Sequence, residues 1–261
     1  MAKVNNSFNV KNSGSKSSSK MEALIEKTIL KEDTSFAIKE AYKSLRSNLE
    51  FSILESGCKK IVVTSANQGE TKSTTSLNIA IAIAMNSARV LLIECDLRLP
   101  QLAKRLKLKK TPGLSNVLFG KAKISESIRH LENGPDVLPA GDIPPNPSEI
   151  LGSNAMKLLL DKLGDVYDYI ILDTPPVCVV TDAAILAKYA AGVVFVVRRG
   201  VSRRETVSSA LRQLEIAGAK VLGFVYTCAP VVRKKYSHGY KYGYGYGYGY
   251  EQAAEEAKSE E

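Results

Sequence analysis

The chain has 261 residues, with 36 Lys and Arg against 27 Asp and Glu, a net charge of +9, 44% hydrophobic residues and no Trp. That length allows one large domain or two small ones with a sizeable core, and the composition is globular, neither collagenous nor wholly disordered nor that of a membrane channel. Tyrosine is unevenly spread: seven of the 12 fall between Tyr236 and Tyr250, so a globular domain with an unusual tail is expected.

The first 20 residues hold four Lys and no acid among Ser and Asn, and residues 1–32 are assigned to a disordered or linker arm. From Asp33 the apolar residues Phe36, Ile38, Tyr42, Leu45, Leu49 and Ile53 recur at helical spacing. A strand at Ile61 to Val63 runs through the turn SANQGE into a helix from Lys72 to Asn86. Another apolar run, Val90 to Ile93, ends in Glu94-Cys95-Asp96. After a Lys-rich stretch, helices are expected over 113–119 and 125–131, a short strand at Val137 and Leu138, and a Pro/Gly loop over 140–147. Then follow a helix over 154–163, a strand from Tyr169 to Leu172 ending at Asp173, and a helix over 182–189. A strand over 193–197, a helix over 205–217 and a strand over 221–226 complete the series.

Continuous apolar strands alternating with helices predict an α/β fold, a parallel sheet flanked by helices on both faces. Ligands in such sheets bind at the carboxyl ends of the strands, where the chemically informative residues collect. The segment from Ala66 to Thr74, ANQGETKST, has the spacing and final Lys-Ser of a P-loop, but lacks its first and last glycines. Lys72 suits the β and γ oxygens of a nucleotide, Ser73 suits Mg²⁺, and Thr74 suits the α-phosphate; Gly69, Glu70 and Thr71 complete the loop. An ordinary turn before a capped helix would use the same Ser and Thr. Two further strands of the expected sheet close on acids, Glu94 with Asp96 and then Asp173, which makes chance placement harder to sustain. Carboxylates there can hold Mg²⁺ or take a proton from an attacking hydroxyl.

Cys58, Cys95, Cys178 and Cys228 form no CxxC pair, so neither a zinc site nor a disulfide framework is indicated. The N-terminus lacks a signal-peptide core, and no apolar run reaches the roughly 18 residues of a transmembrane helix. A cytoplasmic protein is expected. The basic excess is spread over lysines without interleaved aromatics, so no nucleic-acid partner is expected.

The segments EAYKSLRSNLEF, SANQGETKSTTSLNIA, VLLIECDLRLP, GLSNVLFG, LPAGDIPPNPSEIL, YDYIILDTPP, VVRRG and the terminal tyrosines together resemble bacterial tyrosine kinases of the capsule and exopolysaccharide type. The resemblance runs from about Ser35 to Tyr250 and implies a deviant Walker A P-loop fold over 33–230, with a flexible acceptor tail with an acidic end over 231–261. It implies ATP and Mg²⁺ as cofactors, with Lys72, Ser73 and Thr74 as Walker A residues and Asp173 as the Walker B acid. The block ECD stands for the family's Asp-x-Asp: Asp96 matches the second acid, whereas Glu94 lengthens the first arm, and Arg98 matches an Arg that helps neutralise phosphate. Catalytic roles are therefore expected for Lys72, Glu94, Asp96, Arg98 and Asp173, and metal-binding roles for Ser73, Asp96 and Asp173. Thr71 replaces a Gly, a change tolerated where φ is negative and unfavourable to nucleotide binding otherwise. Thr227 stands where related ATPases carry an Asn near the adenine.

The resemblance makes Tyr236, Tyr240, Tyr242, Tyr244, Tyr246, Tyr248 and Tyr250 phosphoacceptors, modified in trans. Each phosphate adds about −1.5 to −2 charges, so full modification would overturn the +9 of the unmodified chain. Glu40, Lys43 and Arg46 match the family's Glu-x-x-Arg-x-x-Arg oligomerisation motif, with Lys43 lacking the guanidinium fork of the first Arg. A ring-like homo-oligomer, a separate membrane activator of the polysaccharide chain-length regulator type, and a cognate tyrosine phosphatase are implied, with recruitment to the inner face of the plasma membrane through the activator. The alternative is a P-loop ATPase of the septum-positioning or partitioning type, or a catalytically weakened scaffold.

Overall fold

The computed structural model describes residues 29–31, 33–53, 57–132 and 134–229. The expected phosphoacceptors and most of the basic arm lie outside the described residues. Seven strands are β1 (Lys59–Ser65), β2 (Val90–Glu94), β3 (Arg129–His130), β4 (Asp136–Leu138), β5 (Tyr169–Asp173), β6 (Gly192–Arg198) and β7 (Val221–Thr227). They form one sheet in the order β3-β4-β2-β5-β1-β6-β7. Every neighbouring pair is parallel except β3 with β4.

The long apolar runs of β1, β2, β5 and β6 arise because these strands are buried on both sides. Ile61 and Val63 of β1, Leu92 of β2, Ile171 of β5 and Val194 and Val196 of β6 enter one core. Val62, Leu91, Ile93, Ile170, Leu172, Val193 and Phe195 enter the other. The period-two pleat thus divides a single run between two hydrophobic layers.

Helices α1 (Phe36–Ser52) and α2 (Lys72–Ala84) cover the first face. Ten of the 13 residues of α2 are buried. Its Thr and Ile residues are modest helix formers, so packing against the sheet holds it. Leu77 and Ile83, each 1% exposed, supply roughly 1.5–3 kcal/mol apiece by burial. The opposite face is covered by α7 (Asn154–Gly164), α8 (Asp182–Ala187) and α9 (Arg204–Ile216), through Met156, Leu160, Leu163, Leu186 and Leu214. Ser153 caps α7 by accepting the Met156 N–H at 3.3 Å. No helix among the described residues is long and apolar enough to cross a membrane.

Four local expectations change. The helix expected over 125–131 contracts to α5 (Ile124–Ser127), because Arg129 and His130 leave it to pair with Val137 and Asp136. Two short helices were not foreseen. The first, α3 (Leu102–Arg105), has no capping side chain of its own at Gln101. The second, α6 (Pro147–Leu151), begins with the Pro at N1 that favours helix initiation. Finally, the arm assigned to residues 1–32 does not hold to its end. Leu30 is 5% exposed, and its N–H reaches Asn78 Oδ1 of α2 at 2.9 Å. The remaining short helix, α4 (Leu114–Leu118), falls within its expected span.

Candidate active site

Sheet order places the three sequence features side by side. Strand β5 lies between β2 and β1, with Asp173 level with Glu94 on one side and with Val63 on the other. The loop following β1 therefore opens beside two strand-end acids, at the position where parallel sheets bind ligands.

The loop is held in shape by its own residues and by the segment after β6. Glu70 is 1% exposed; its Oε2 accepts the Asn67 N–H at 2.7 Å, and its Oε1 accepts the Ser202 hydroxyl at 2.5 Å. Ser202 in turn accepts the Arg198 N–H at 2.8 Å. Arg198 Nη1 donates to Gly69 O at 2.6 Å. Gly69 itself has φ +78 with open space around its missing Cβ, so conformation rather than room requires glycine. Glu70 thus shapes the loop from within, and the Arg-Arg-Gly segment braces it from outside.

Thr71 adopts φ 64 and ψ 18, the left-handed region, contrary to the negative φ under which a side chain is free of strain. A β-branched residue is an outlier there. Its hydroxyl donates to Glu70 O at 2.6 Å and pairs with the Thr227 hydroxyl at 2.9 Å. Two of the departures from the family pattern, Thr71 and Thr227, therefore touch each other. The next turn of α2 is regular, with the Thr75 and Ser76 hydroxyls returning to the carbonyls of Thr71 and Lys72.

Lys72 extends to Asp96, with Nζ and Oδ2 3.4 Å apart and both side chains largely shielded. The other Asp96 oxygen accepts the Leu99 N–H at 3.1 Å. Asp173 is buried at the floor of the site; Oδ1 accepts the Ser76 hydroxyl at 3.0 Å, and Ser73 also bonds this carboxyl. Burial pushes the Asp173 carboxyl up, against the opposing pull of the Lys72 charge and the two serine hydroxyls. Its Oδ2 is buried with no hydrogen-bond partner. A free carboxylate oxygen beside a serine hydroxyl fits a hard cation, held by Ser73 and Asp173 directly or through water. Among the described residues no group of three or more His, Cys, Asp or Glu could hold a metal. The donor set suits an ion that takes its remaining ligands from phosphate oxygens and water, as Mg²⁺ does.

Glu94 is placed differently from the other acids. It is 1% exposed, and its Oε1 accepts the N–H groups of Gln101 and, at 2.6 Å, Leu102. Its Oε2 accepts the Ala140 N–H at 3.3 Å. The carboxylate caps α3 from seven and eight residues away, which explains a helix without a local cap. Burial raises its carboxyl, and nearby Asp173 adds to that, while the three amides oppose it. Arg98 is also engaged elsewhere, with Nε 3.4 Å from buried Asp182 Oδ2 and Nη2 donating to Ser148 Oγ at 2.9 Å.

The oligomer-motif residues separate in direction. Glu40 and Lys43 pair on the exposed side of α1 at 2.6 Å. Arg46 turns inward and donates to Ala82 O at the end of α2 at 3.1 Å. Residues that sequence reasoning passed over include Ser76, Arg105, Arg198 and Ser202. Ser76 was accessible in principle, lying one turn beyond Lys72, and Arg198 sits in the quoted VVRRG segment without a stated role. Nothing local marks Arg105.

A parallel sheet carrying this loop, a Lys at the helix start and strand-end acids on adjoining strands defines a P-loop ATPase fold, a class that binds nucleotide with Mg²⁺. Residues 58–200 match the family described as AAA domain. The tyrosine-protein kinase YwqD of Bacillus subtilis is 38% identical over 202 residues, covering 77% of this chain and 85% of that protein. The crystal structure of the chimerical protein CapA2B2 matches with a TM-score of 0.71 at 36% identity, over 75% of this chain and 86% of that one. The kinase domain of the Escherichia coli tyrosine kinase ETK also gives 0.71, at 34% identity over 79% and 80%. The chain belongs to the bacterial tyrosine kinase family, and its enzyme class is protein-tyrosine kinase.

Proposed function

We propose that this kinase transfers the γ-phosphoryl group of ATP to tyrosines of its own C-terminal cluster, Tyr236, Tyr240, Tyr242, Tyr244, Tyr246, Tyr248 and Tyr250, on a neighbouring copy. The observation that carries this reading is the meeting of Lys72, Asp96, Ser73 and Asp173 at one strand-end site in a chain seven of whose 12 tyrosines fall between Tyr236 and Tyr250. Lys72 holds the β and γ oxygens, and the loop from Gly69 to Thr74 encloses the phosphates. Ser73 and Asp173, with Asp96 nearby, would hold Mg²⁺, which when bound would neutralise charge on the phosphates. Asp96 receives the proton of the acceptor phenol as its oxygen bonds to γ-phosphorus. The bond from γ-phosphorus to the bridging oxygen breaks, and ADP leaves with that oxygen. Glu94, both of whose oxygens meet backbone amides, positions α3 and the end of β4 rather than touching substrate. Arg98, anchored on Asp182 and Ser148, helps neutralise phosphate.

The cellular role that fits is control of capsular or exopolysaccharide synthesis and export. The chain works in a ring-like homo-oligomer through Glu40, Lys43 and Arg46. It is recruited from the cytoplasm to the inner face of the plasma membrane by a separate activator, and reset by a tyrosine phosphatase. Residues 1–32 serve as a linker up to the packed segment at Leu30, 33–230 as the kinase domain and 231–261 as the acceptor tail. Phosphates added to the tail build like charge between subunits and loosen the ring.

The test is incubation with Mg-ATP, with and without an activator fragment, followed by mapping of phosphotyrosine by mass spectrometry. Tail phosphotyrosine that disappears in Lys72→Met supports the proposal. Phosphate release without tail modification refutes it in favour of an ATPase. Loosening is checked by sizing: with ATP the intact protein should dissociate while a tail-deleted protein stays assembled.

A further inference from the structure

Arg105, at the end of α3, donates from Nη1 to Thr74 Oγ1 at 2.8 Å. Thr74 is 8% exposed, and Arg105 is half-buried. A hydroxyl oxygen that accepts from a guanidinium must direct its own hydrogen elsewhere, and the adjoining charge makes that hydrogen a stronger donor. Thr75 returns its hydroxyl to the Thr71 carbonyl, and Ser76 shares its hydroxyl hydrogen between the Lys72 carbonyl and Asp173 Oδ1; Thr74 instead takes a cation.

Successive helix residues are rotated by about 100°, so Thr74 faces a different side of the helix start from Lys72. Lys72 is also directed at Asp96. Lys72 thus stands beside the strand-end acids, whereas Arg105 stands beside the third residue of α2. A guanidinium has five N–H donors in a planar fork, and the Thr74 contact uses one of them. The position of Arg105 is set from below, since Glu94 caps α3 through Gln101 and Leu102, and Leu102 is fully buried in the core beneath it.

Building on the nucleotide-site reading above, we propose that Arg105 is a phosphate-binding residue. It orients the Thr74 hydroxyl and presents its free donors to the α-phosphate of the bound nucleotide, apart from the β and γ oxygens that Lys72 holds. An α-phosphate is common to ATP and ADP, so the contact sets affinity for both and does not discriminate between them.

Binding of Mg-ATP and Mg-ADP to the full-length chain is measured by calorimetry for wild type, Arg105→Gln, Arg105→Lys, Thr74→Val, the Arg105→Gln/Thr74→Val double variant and Lys72→Met. A charge-assisted hydrogen bond corresponds to about tenfold or more in affinity. Arg105→Gln should lose about that factor for ATP and ADP alike, with an unchanged ATP-to-ADP ratio, and Arg105→Lys should recover part of it. The double variant should lose less than the sum of the two single losses, because each single variant already breaks the Arg105–Thr74 contact. Nucleotide-free melting of Arg105→Gln is followed in parallel to separate binding from folding. Unchanged affinity in Arg105→Gln, a loss confined to ATP, or fully additive losses in the double variant would overturn the inference while leaving the nucleotide site in place. Failure of the wild type itself to bind either nucleotide would instead overturn the reading on which it rests.

Discussion

Replacing Glu94 separates two roles that its place in the ECD block leaves entangled. In Glu94→Ala the acceptor for three backbone N–H groups disappears. Gln101 is exposed and can turn to water, whereas Leu102 and Ala140 are buried, at 0% and 1% exposure. Two buried donors without partners cost about 1–3 kcal/mol each. Removal of a carboxylate that burial already disfavours returns part of this, leaving a net loss of about 2–4 kcal/mol. For a chain of this size each kcal/mol lowers the melting temperature by about 2–4 °C, so a drop on the order of 10 °C is expected in a nucleotide-free thermal scan. Glu94→Gln should lose less, since its carbonyl can still accept from Gln101 and Leu102, although its amide then faces the Ala140 donor. Glu94→Asp should not rescue the fold despite restoring the family's usual acid. Its arm is shorter by a methylene, about 1.5 Å, which stretches a 2.6 Å bond beyond hydrogen-bond length. If Glu94→Ala melts with the wild type but loses phosphotransfer, the structural reasoning is refuted and Glu94 acts on substrate.

Three further outcomes are expected. Asp173→Asn should stabilise the protein in EDTA without nucleotide. Burial raises this carboxyl in the folded state, so the stability tied to its proton is complete below the ordinary carboxylate range and is lost as pH climbs through the raised value. The advantage of Asn should therefore widen from pH 4 towards pH 8 in urea titrations, and a gap that narrows would count against the assignment. Thr227→Ala should destabilise by about 1 kcal/mol through loss of the Thr71 contact. Adding Thr71→Gly to it should then recover about 1–2 kcal/mol of left-handed strain, whereas a further loss in denaturant unfolding would show that Thr71 is unstrained. Alkylation of the native protein followed by peptide mass spectrometry should label exposed Cys228 first. Cys95, fully buried with its thiol pushed well up by burial and surrounding carboxylates, should react only on unfolding; early labelling of Cys95 would contradict its place in the core.

Much of this molecule was legible one segment at a time. The strand and helix alternation is a local period of side chains, and a run such as Tyr169 to Leu172 has few options other than a strand buried on both faces. The P-loop spacing and the acids at the ends of β2 and β5 are also local, so the site's location followed once the sheet was parallel. The weaker expectations were those in which a short segment depends on a distant partner. Helix α3 exists because Glu94 supplies its cap, and residues 129–130 leave a helical pattern because Asp136 and Val137 offer a strand to pair with.

Sequence alone could not rank the acids, because Glu94, Asp96 and Asp173 are alike as strand-end carboxylates. Tertiary packing separated them by the donors each one meets. Glu94, with its longer arm, is occupied by amides from α3 and Ala140. Asp96 faces Lys72. Asp173 retains a buried oxygen without a partner beside Ser73. Contacts between residues far apart in the chain, Glu70 with Ser202, Arg105 with Thr74 and Thr71 with Thr227, set the loop's shape. Such contacts depend on where folded elements bring side chains together, and neither periodicity nor spacing encodes that.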